Sequence, residues 1–296
     1  MELEPENFPL ALAQSLFRPN HLYCCGGLPR KESIGVAMVG TRRPTSSARE
    51  LCRRLVKSLQ GTNAVVVSGL AQGIDSFCHE AALEYGIPTV AVIAQGLDIP
   101  IPGERATLAK RIVDSGGCIL TEYEKDFPAY KGNFPARNRI ISGLCRTTVL
   151  VQSKIKGGAL ITADYCLQEN KLLLAIPGNF DSENAGGPNL YLDQGKAMPV
   201  YLPESLRVVA GLPKIKTEKN EPAAMGLRQI EAIGCNLSGE ALALFKQFNG
   251  FRKTFQELQD ESNLKSTNIL AILTELELAG LVHTPDNFQF YFNGSD

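Results

Sequence analysis

Short apolar runs alternate with amphipathic stretches along residues 34–178. The apolar runs are rich in β-branched residues and predict strands at 34–40, 64–68, 88–94, 118–122, 147–152 and 171–178. Apolar residues recurring every three or four positions predict helices between them at 46–60, 74–85, 104–115, 135–144 and 158–169. Strands that are apolar throughout are typical of parallel sheets covered by helices on both faces. The alternation therefore predicts an α/β fold with a doubly wound, mostly parallel sheet.

The pattern changes after residue 212. Residues 213–236 are polar and without periodicity, which predicts a linker. Helical patterns at 238–249, 254–262 and 265–280 and a short β-hairpin follow, an order that predicts a small winged-helix domain. The predicted divisions are an N-terminal extension at 1–30, an α/β domain at 31–212, the linker, and a winged-helix domain at 237–296.

Composition excludes several classes of protein. Of the 296 residues, 44% are hydrophobic and 21% charged, so the chain can bury cores and is not disordered. No apolar run approaches the ~20 residues of a membrane helix, and the acidic start lacks the basic region of a secretory signal. The eight cysteines have no C-x-x-C pair and no zinc spacing, so we expect a cytoplasmic protein with reduced thiols and no metal.

The net charge of −1 conceals a local asymmetry. Residues 125–156 carry seven Lys or Arg against one Asp, which favours an anionic partner. Residues 237–296 carry four Lys or Arg against eight Asp or Glu. A reader of duplex DNA is basic on its recognition helix, so we expect the acidic module to contact protein, or DNA only weakly.

Two glycine-containing loops follow the first two strands. They are Gly40-Thr41-Arg42 and the run from Ser68 to Asp75 that includes Gly69 and Gly73. Such loops let backbone N–H groups and helix N-termini approach a phosphate, to which Arg42 adds a charged fork. The alternative is that the glycines only make tight turns between strand and helix.

The stretch from Lys131 to Arg139 interleaves cations with an aromatic ring, and no acid occurs between Lys131 and Lys156. A single nucleic-acid strand offers repeated phosphates and exposed base faces, and one stacked base contributes about 1–3 kcal/mol. Lys131 and Phe134 are spaced to hold a phosphate and its base. The alternative is that Phe134 packs in the core while the arginines are solvated or paired.

Motifs of the common catalytic classes are missing from the sequence. There is no G-x-G-x-x-G after the first strand, no G-x-x-x-x-G-K-[ST], no H-E-x-x-H and no G-x-S-x-G. His79 follows Asp75 by four residues, and we expect it to make a loop or core hydrogen bond rather than act as a base.

A series of short motifs occurs in a familiar order. They are Gly40-Thr41-Arg42, Ser68-Gly69-Leu70-Ala71, Gly73-Ile74-Asp75, His79, Gly96-Leu97-Asp98, Thr121-Glu122, Phe134-Pro135-x-Arg137-Asn138-Arg139, Ile161-Thr162-Ala163 and Pro177-Gly178. Together they resemble the DprA/Smf family of DNA-processing proteins over about residues 22–202. The C-terminal module resembles the winged-helix domain that many members carry.

The resemblance implies an extended Rossmann-like domain that binds single-stranded DNA, protects incoming DNA, dimerises and loads the RecA recombinase during natural transformation. It implies no catalysis, cofactor or membrane association. DNA contacts are implied for Arg42, Lys131, Phe134, Arg137, Asn138 and Arg139, with Gly40, Ser68, Gly69 and Gly73 lining the pocket. The segment 187–199 is implied in the dimer and RecA surface, with Leu192 and Met198 as candidates.

The chain departs from the family at two informative positions. Gln152 stands where the family has a glutamate, and Lys196 stands where it has an alanine near the dimer segment, which leaves the dimer geometry open. Two other functions remain alternatives: a nucleotide N-glycosidase on a related fold, with Asp75 and Glu122 as its acids, and a nucleotide-sensing module that uses the glycine loops.

Overall fold

The computed structural model describes residues 2–30, 32–212, 237–249, 251–262, 264, 266–279, 281–286 and 289–292. The chain divides into two compact units, Met1–Ile215 and Lys216–Asp296. The linker predicted at 213–236 lies outside the described residues, as does Cys235.

The first unit is built from nine strands and eight α-helices in its described part. The strands are β1 (Glu2–Leu3), β2 (Leu22–Gly26), β3 (Ile34–Gly40), β4 (Ala64–Ser68), β5 (Thr89–Val92), β6 (Cys118–Thr121), β7 (Thr147–Gln152), β8 (Leu172–Ala175) and β9 (Met198–Pro199). The helices are α1 (Leu10–Ala13), α2 (Ala48–Lys57), α3 (Ile74–Glu84), α4 (Glu104–Asp114), α5 (Asn133–Gly143), α6 (Ala159–Gln168), α7 (Gly186–Asp193) and α8 (Leu206–Val209).

All nine strands join one sheet in the order β1-β2-β6-β5-β4-β3-β7-β8-β9. The strands from β3 to β9 pair in parallel, whereas β2 runs antiparallel to both β1 and β6. The chain moves outward from β3 through β6 and then returns to place β7 on the other side of β3. This reversal confirms the doubly wound α/β fold, and it puts the topological switch point between β3 and β7.

Both faces of the sheet are buried, as the apolar strands predict. Along β3, Val36 and Met38 point into a core with α2 and α3, whereas Ala37 and Val39 point into a core with α5 and α6. Burying one large apolar side chain contributes about 1.5–3 kcal/mol. Burial of the apolar strands therefore holds helices against both faces of the sheet. The loops at the strand ends can carry functional residues.

The N-terminal residues add to this sheet. In β2, Tyr23 pairs with Thr121 of β6. The short helix α1 is fastened by Ser15, whose hydroxyl donates to the carboxylate of Glu169. Glu169 also pairs with Lys171 at 2.8 Å. Burial opposes ionisation of Glu169, but these bonds outweigh it and lower the pKa of its carboxyl group.

The second unit contains α9 (Gly239–Phe248), α10 (Phe255–Ser262) and α11 (Ser266–Leu278). Its three strands, β10 (Arg252–Thr254), β11 (Val282–Asp286) and β12 (Gln289–Phe292), form an antiparallel sheet in the order β10-β12-β11. The three helices and the final hairpin lie where the sequence predicts them, whereas β10 was not predicted. The assignment of this unit as a winged helix remains a prediction.

Six of the cysteines in the described ranges are buried, and Cys25 is exposed. None of the helices in those ranges has the length and apolar character that crossing a bilayer requires.

Candidate functional site

The loops after β3, β4 and β7 meet at the switch point. The backbone N–H of Thr41 donates to the carbonyl of Gln152 at 2.7 Å, and that of Ile74 donates to the carbonyl of Thr41 at 3.3 Å. The Gln152 side chain accepts from the Thr45 backbone N–H at 3.1 Å and donates to the Thr45 hydroxyl at 2.8 Å. The Gln152 amide thus uses both its acceptor and its donor to hold the loop after β3.

Two glycines allow the first two loops to approach each other. Gly73 has a φ of +90°, and a Cβ on it would lie 2.5 Å from the carbonyl oxygen of Thr41. A Cβ on Gly40 would lie 2.5 Å from Cγ1 of Ile74. Both positions therefore require glycine for close packing, and their predicted contact with a ligand remains a prediction.

Beneath these loops lies a buried polar floor. The Ser68 hydroxyl donates to the carbonyl of Met38 at 2.6 Å, and the Gly69 backbone N–H donates to the carboxylate of Asp75 at 3.1 Å. A Cβ on Gly69 would overlap the guanidinium of Arg137. The absence of a side chain at Gly69 leaves room for the guanidinium of Arg137 under the loop.

Arg137 is only 3% exposed, and its guanidinium donates to the carbonyl of Val92 at the end of β5. Burial lowers its pKa to about 10, which still leaves it charged at neutral pH. Burial raises the pKa of Asp75, and the charge of Arg137 opposes that rise. The predicted contact of Arg137 with DNA remains untested. Its position suits it to orient the Gly69 loop and to add positive potential from below.

Arg42 and Phe134 meet at the surface of this edge. The guanidinium carbon of Arg42 lies 5.0 Å from the centroid of the Phe134 ring, a cation–π distance. Arg42 is exposed and Phe134 is half-buried, so the ring is not sealed in the core. Among the described residues, no carboxylate lies within ion-pair distance of Arg42.

The remaining predicted cations differ in how they are held. Lys131 is exposed in the turn before α5, three residues ahead of Phe134. The Asn138 amide donates to the carbonyl of Gly158 at 3.4 Å. Arg139 pairs with Glu122 at 2.5 Å, and both side chains are largely buried. The charge of Arg139 is therefore balanced, which the sequence did not reveal.

The two residues predicted for a partner surface lie on α7 and on the edge strand β9. Leu192 is partly buried on α7, against the core that also contains α6. Met198 lies on the edge strand β9 and is exposed, and Tyr201 and Leu202 after it are exposed as well. Their predicted role in dimerisation remains untested.

His79 is fully buried, and its Nδ1 lies 2.7 Å from the hydroxyl of Thr89, which itself donates to the carbonyl of Val66. Burial lowers the pKa of His79 to about 3, so its ring is neutral. It makes a core hydrogen bond, as expected.

Sequence reasoning missed the aromatic loop after β6, which carries Tyr123, Phe127 and Tyr130. Ring stacking joins Tyr123 to Phe127, and an edge contact joins Phe127 to Tyr130. The signal available was an aromatic residue every three or four positions immediately before Lys131.

Comparison with known proteins gives a consistent set of matches. The family model described as DNA recombination-mediator protein A matches residues 2–209. Protein Smf of Synechocystis is 33% identical over 228 residues, which cover 76% of this chain and 57% of that protein. The chain thus spans little more than half the length of this curated relative.

Two solved structures are also similar. DprA of Streptococcus pneumoniae is 32% identical with a TM-score of 0.64, covering 70% of this chain and 73% of that one. DprA of Helicobacter pylori is 30% identical with a TM-score of 0.63, covering 71% of this chain and 95% of that one.

Proposed function

Because the chain belongs to the DNA recombination-mediator protein A family, we propose that it is a non-catalytic, single-stranded DNA-binding protein whose site is the switch-point edge of the sheet. The H. pylori relative is described as having a unique single-stranded DNA binding mode. The observation that carries the proposal for this chain is the contact between Arg42 and Phe134.

Arg42 and Phe134 together suit the two parts of a nucleotide in single-stranded DNA, its phosphate and its base. An exposed guanidinium without an acidic partner in the described ranges binds a phosphate oxygen, and the adjoining ring stacks on a base. Lys131, exposed one turn away, takes a neighbouring phosphate. Asn138 of α5 completes this face through its bond to the carbonyl of Gly158, just before α6.

The glycine loops form the wall of the site. Ser68 and Gly69 hold the loop after β4, and Gly40 and Gly73 bring it against the loop after β3. Arg137 and Arg139 lie behind this wall, the first under Gly69 and the second paired with Glu122. They contribute position and potential more than direct contact.

Two observations favour binding over N-glycosidase chemistry. Asp75 is buried and accepts from the Gly69 backbone, and Glu122 is paired with Arg139. Both candidate acids are therefore committed to the scaffold.

In the cell, this activity would protect incoming DNA and deliver it to the RecA recombinase during natural transformation, in the cytoplasm. The family resemblance supports these roles, as it supports a homodimer through Leu192 and Met198. The acidic second unit, with Leu270 and Leu278 exposed on α11, suits contact with a protein more than with DNA.

The test is a fluorescence-anisotropy titration of the full chain with labelled oligo-dT, with unlabelled duplex and AMP as competitors. We expect tight binding of the single strand, weak competition by duplex and no competition by AMP. Release of free base from AMP, or displacement of oligo-dT by AMP, would instead support one of the alternatives.

A further inference from the structure

Three aromatic rings continue the proposed site along the edge of the sheet. Tyr123 and Phe127 stack with their centroids 4.9 Å apart and their planes at 16°, and Tyr130 meets Phe127 edge to face at 5.8 Å. Tyr130 is 57% exposed and Phe127 is 36% exposed. Exposed large rings gathered in one loop point to a partner that covers them.

The loop that carries these rings is fastened to the sheet edge. The Gly96 backbone N–H donates to the carbonyl of Phe127 at 2.8 Å, and that of Asp98 donates to the carbonyl of Lys125 at 2.8 Å. The Asn133 side chain donates to the carbonyl of Ala94 at 3.2 Å. The rings are therefore held in place before any ligand arrives, which reduces the entropy cost of binding.

Tyr130 is connected directly to the proposed DNA site. Its carbonyl accepts from the backbone N–H of Asn133 at 3.1 Å, and Asn133 is followed by Phe134, which contacts Arg42. Arg42 follows β3 and the aromatic loop follows β6, and these strands are three spacings or about 14 Å apart in the sheet. Tyr130 and Phe127 therefore belong to the chain segment that leads directly to Phe134 at this edge.

We propose that Tyr130, supported by Phe127, is a second base-stacking platform that extends the single-stranded DNA site beyond Phe134. This inference rests on the proposed function. Lys131 lies between the two platforms and faces no carboxylate within ion-pair distance in the part of the chain the structure describes, so it can hold the phosphate that joins the two stacked bases. Glu124 and Asp126 precede Phe127 in the sequence, and because a carboxylate repels phosphate we expect the platform to end at Phe127.

The experiment measures the affinity of the full chain for oligo-dT of increasing length, across the roughly 4–16 nucleotides that single-strand sites cover. Wild type is compared with Tyr130→Leu, which keeps apolar volume but removes the ring, and with Tyr130→Phe, which keeps the ring. Tyr130 is well exposed, so both variants are expected to fold.

We expect Tyr130→Leu to bind the shortest strands like wild type and to lose roughly five- to a hundredfold on longer ones. Tyr130→Phe follows wild type at every length. The inference is overturned if Tyr130→Leu binds strands of all lengths like wild type, or if it loses as much affinity for the shortest strands as for the longer ones. If wild type binds none of the oligonucleotides, the proposed function fails and this inference fails with it.

Discussion

Arginine lies over an aromatic ring in two regions of the first unit, and the two regions differ in what else the arginine meets. At the switch point, Arg42 lies over Phe134. On the outer face of α2 and α3, Arg49 lies 4.3 Å from the centroid of Phe77, and Arg53 lies 5.5 Å from that of Tyr85. The geometry of the pairs is similar.

The two regions differ in whether a carboxylate pairs with the arginine. Arg49 pairs with Glu80, and Arg53 pairs with Glu84 at 2.6 Å through a forked contact. In the first unit's described residues, Arg42 has no such partner. The unbalanced charge is what sets the proposed nucleic-acid site apart, and the α2–α3 face serves as its internal control.

The largest expected effect comes from removing the unbalanced charge. Arg42→Ala should weaken oligo-dT binding by roughly ten- to a hundredfold, because a hydrogen bond to a charged group contributes about 1.5–3 kcal/mol. Arg53→Ala should leave the affinity unchanged. The comparison fails if the two variants behave alike in an anisotropy titration.

Removal of the ring should have the next largest effect. Phe134→Ala is expected to lose roughly five- to a hundredfold in affinity, the contribution of one stacked base. Phe134→Tyr keeps an aromatic face and should retain most of the binding. Phe77→Ala, which removes the ring of the control region, should bind like wild type; an equal loss there would point to a general folding effect.

Salt dependence sharpens the comparison further. Each phosphate neutralised on a single strand contributes about −0.7 to the slope of log K against log salt concentration. Arg42→Ala should make the slope shallower by about that amount, and Arg53→Ala should not change it. Titrations at several KCl concentrations measure both slopes. An unchanged slope for Arg42→Ala would show that Arg42 does not bind a phosphate.

The smallest effect is expected on thermal stability, where Arg53→Ala rather than Arg42→Ala should be the variant that differs from wild type. Arg53→Ala removes an exposed ion pair that links α2 to α3 and should lower the melting temperature slightly. Arg42→Ala breaks no ion pair within the described ranges and should melt like wild type. Thermal unfolding followed by circular dichroism tests this, and a clear loss for Arg42→Ala would make it a structural residue.

The sequence predicted the fold where local pattern determines structure. Six apolar runs became β3 to β8, six of the seven strands that pair in parallel, because burial on both faces leaves no polar alternation. The short edge strand β9 was not predicted. The pattern missed α7, whose start Gly186-Gly187-Pro188 resembles a loop. It also placed the start of α5 at Pro135, two residues late, because proline is tolerated within the first turn of a helix.

The site was partly predictable. Strand-end geometry allows Arg42 and Phe134 to meet although they are distant in sequence, and the structure brings them into contact. The burial and pairing of the other cations could not be predicted. Arg137 occupies space that is free because Gly69 has no side chain, and Arg139 pairs with Glu122 at the end of another strand. Such contacts join distant parts of the chain and leave no local pattern.

The most direct test of the account uses the absence of tryptophan from the sequence. Phe134→Trp introduces a single tryptophan at the proposed stacking position, and Phe77→Trp introduces one in the control region. We predict that saturating oligo-dT quenches the fluorescence of Phe134→Trp and leaves that of Phe77→Trp unchanged. Binding of the oligonucleotide without quenching at position 134, or with equal quenching at both positions, would contradict it.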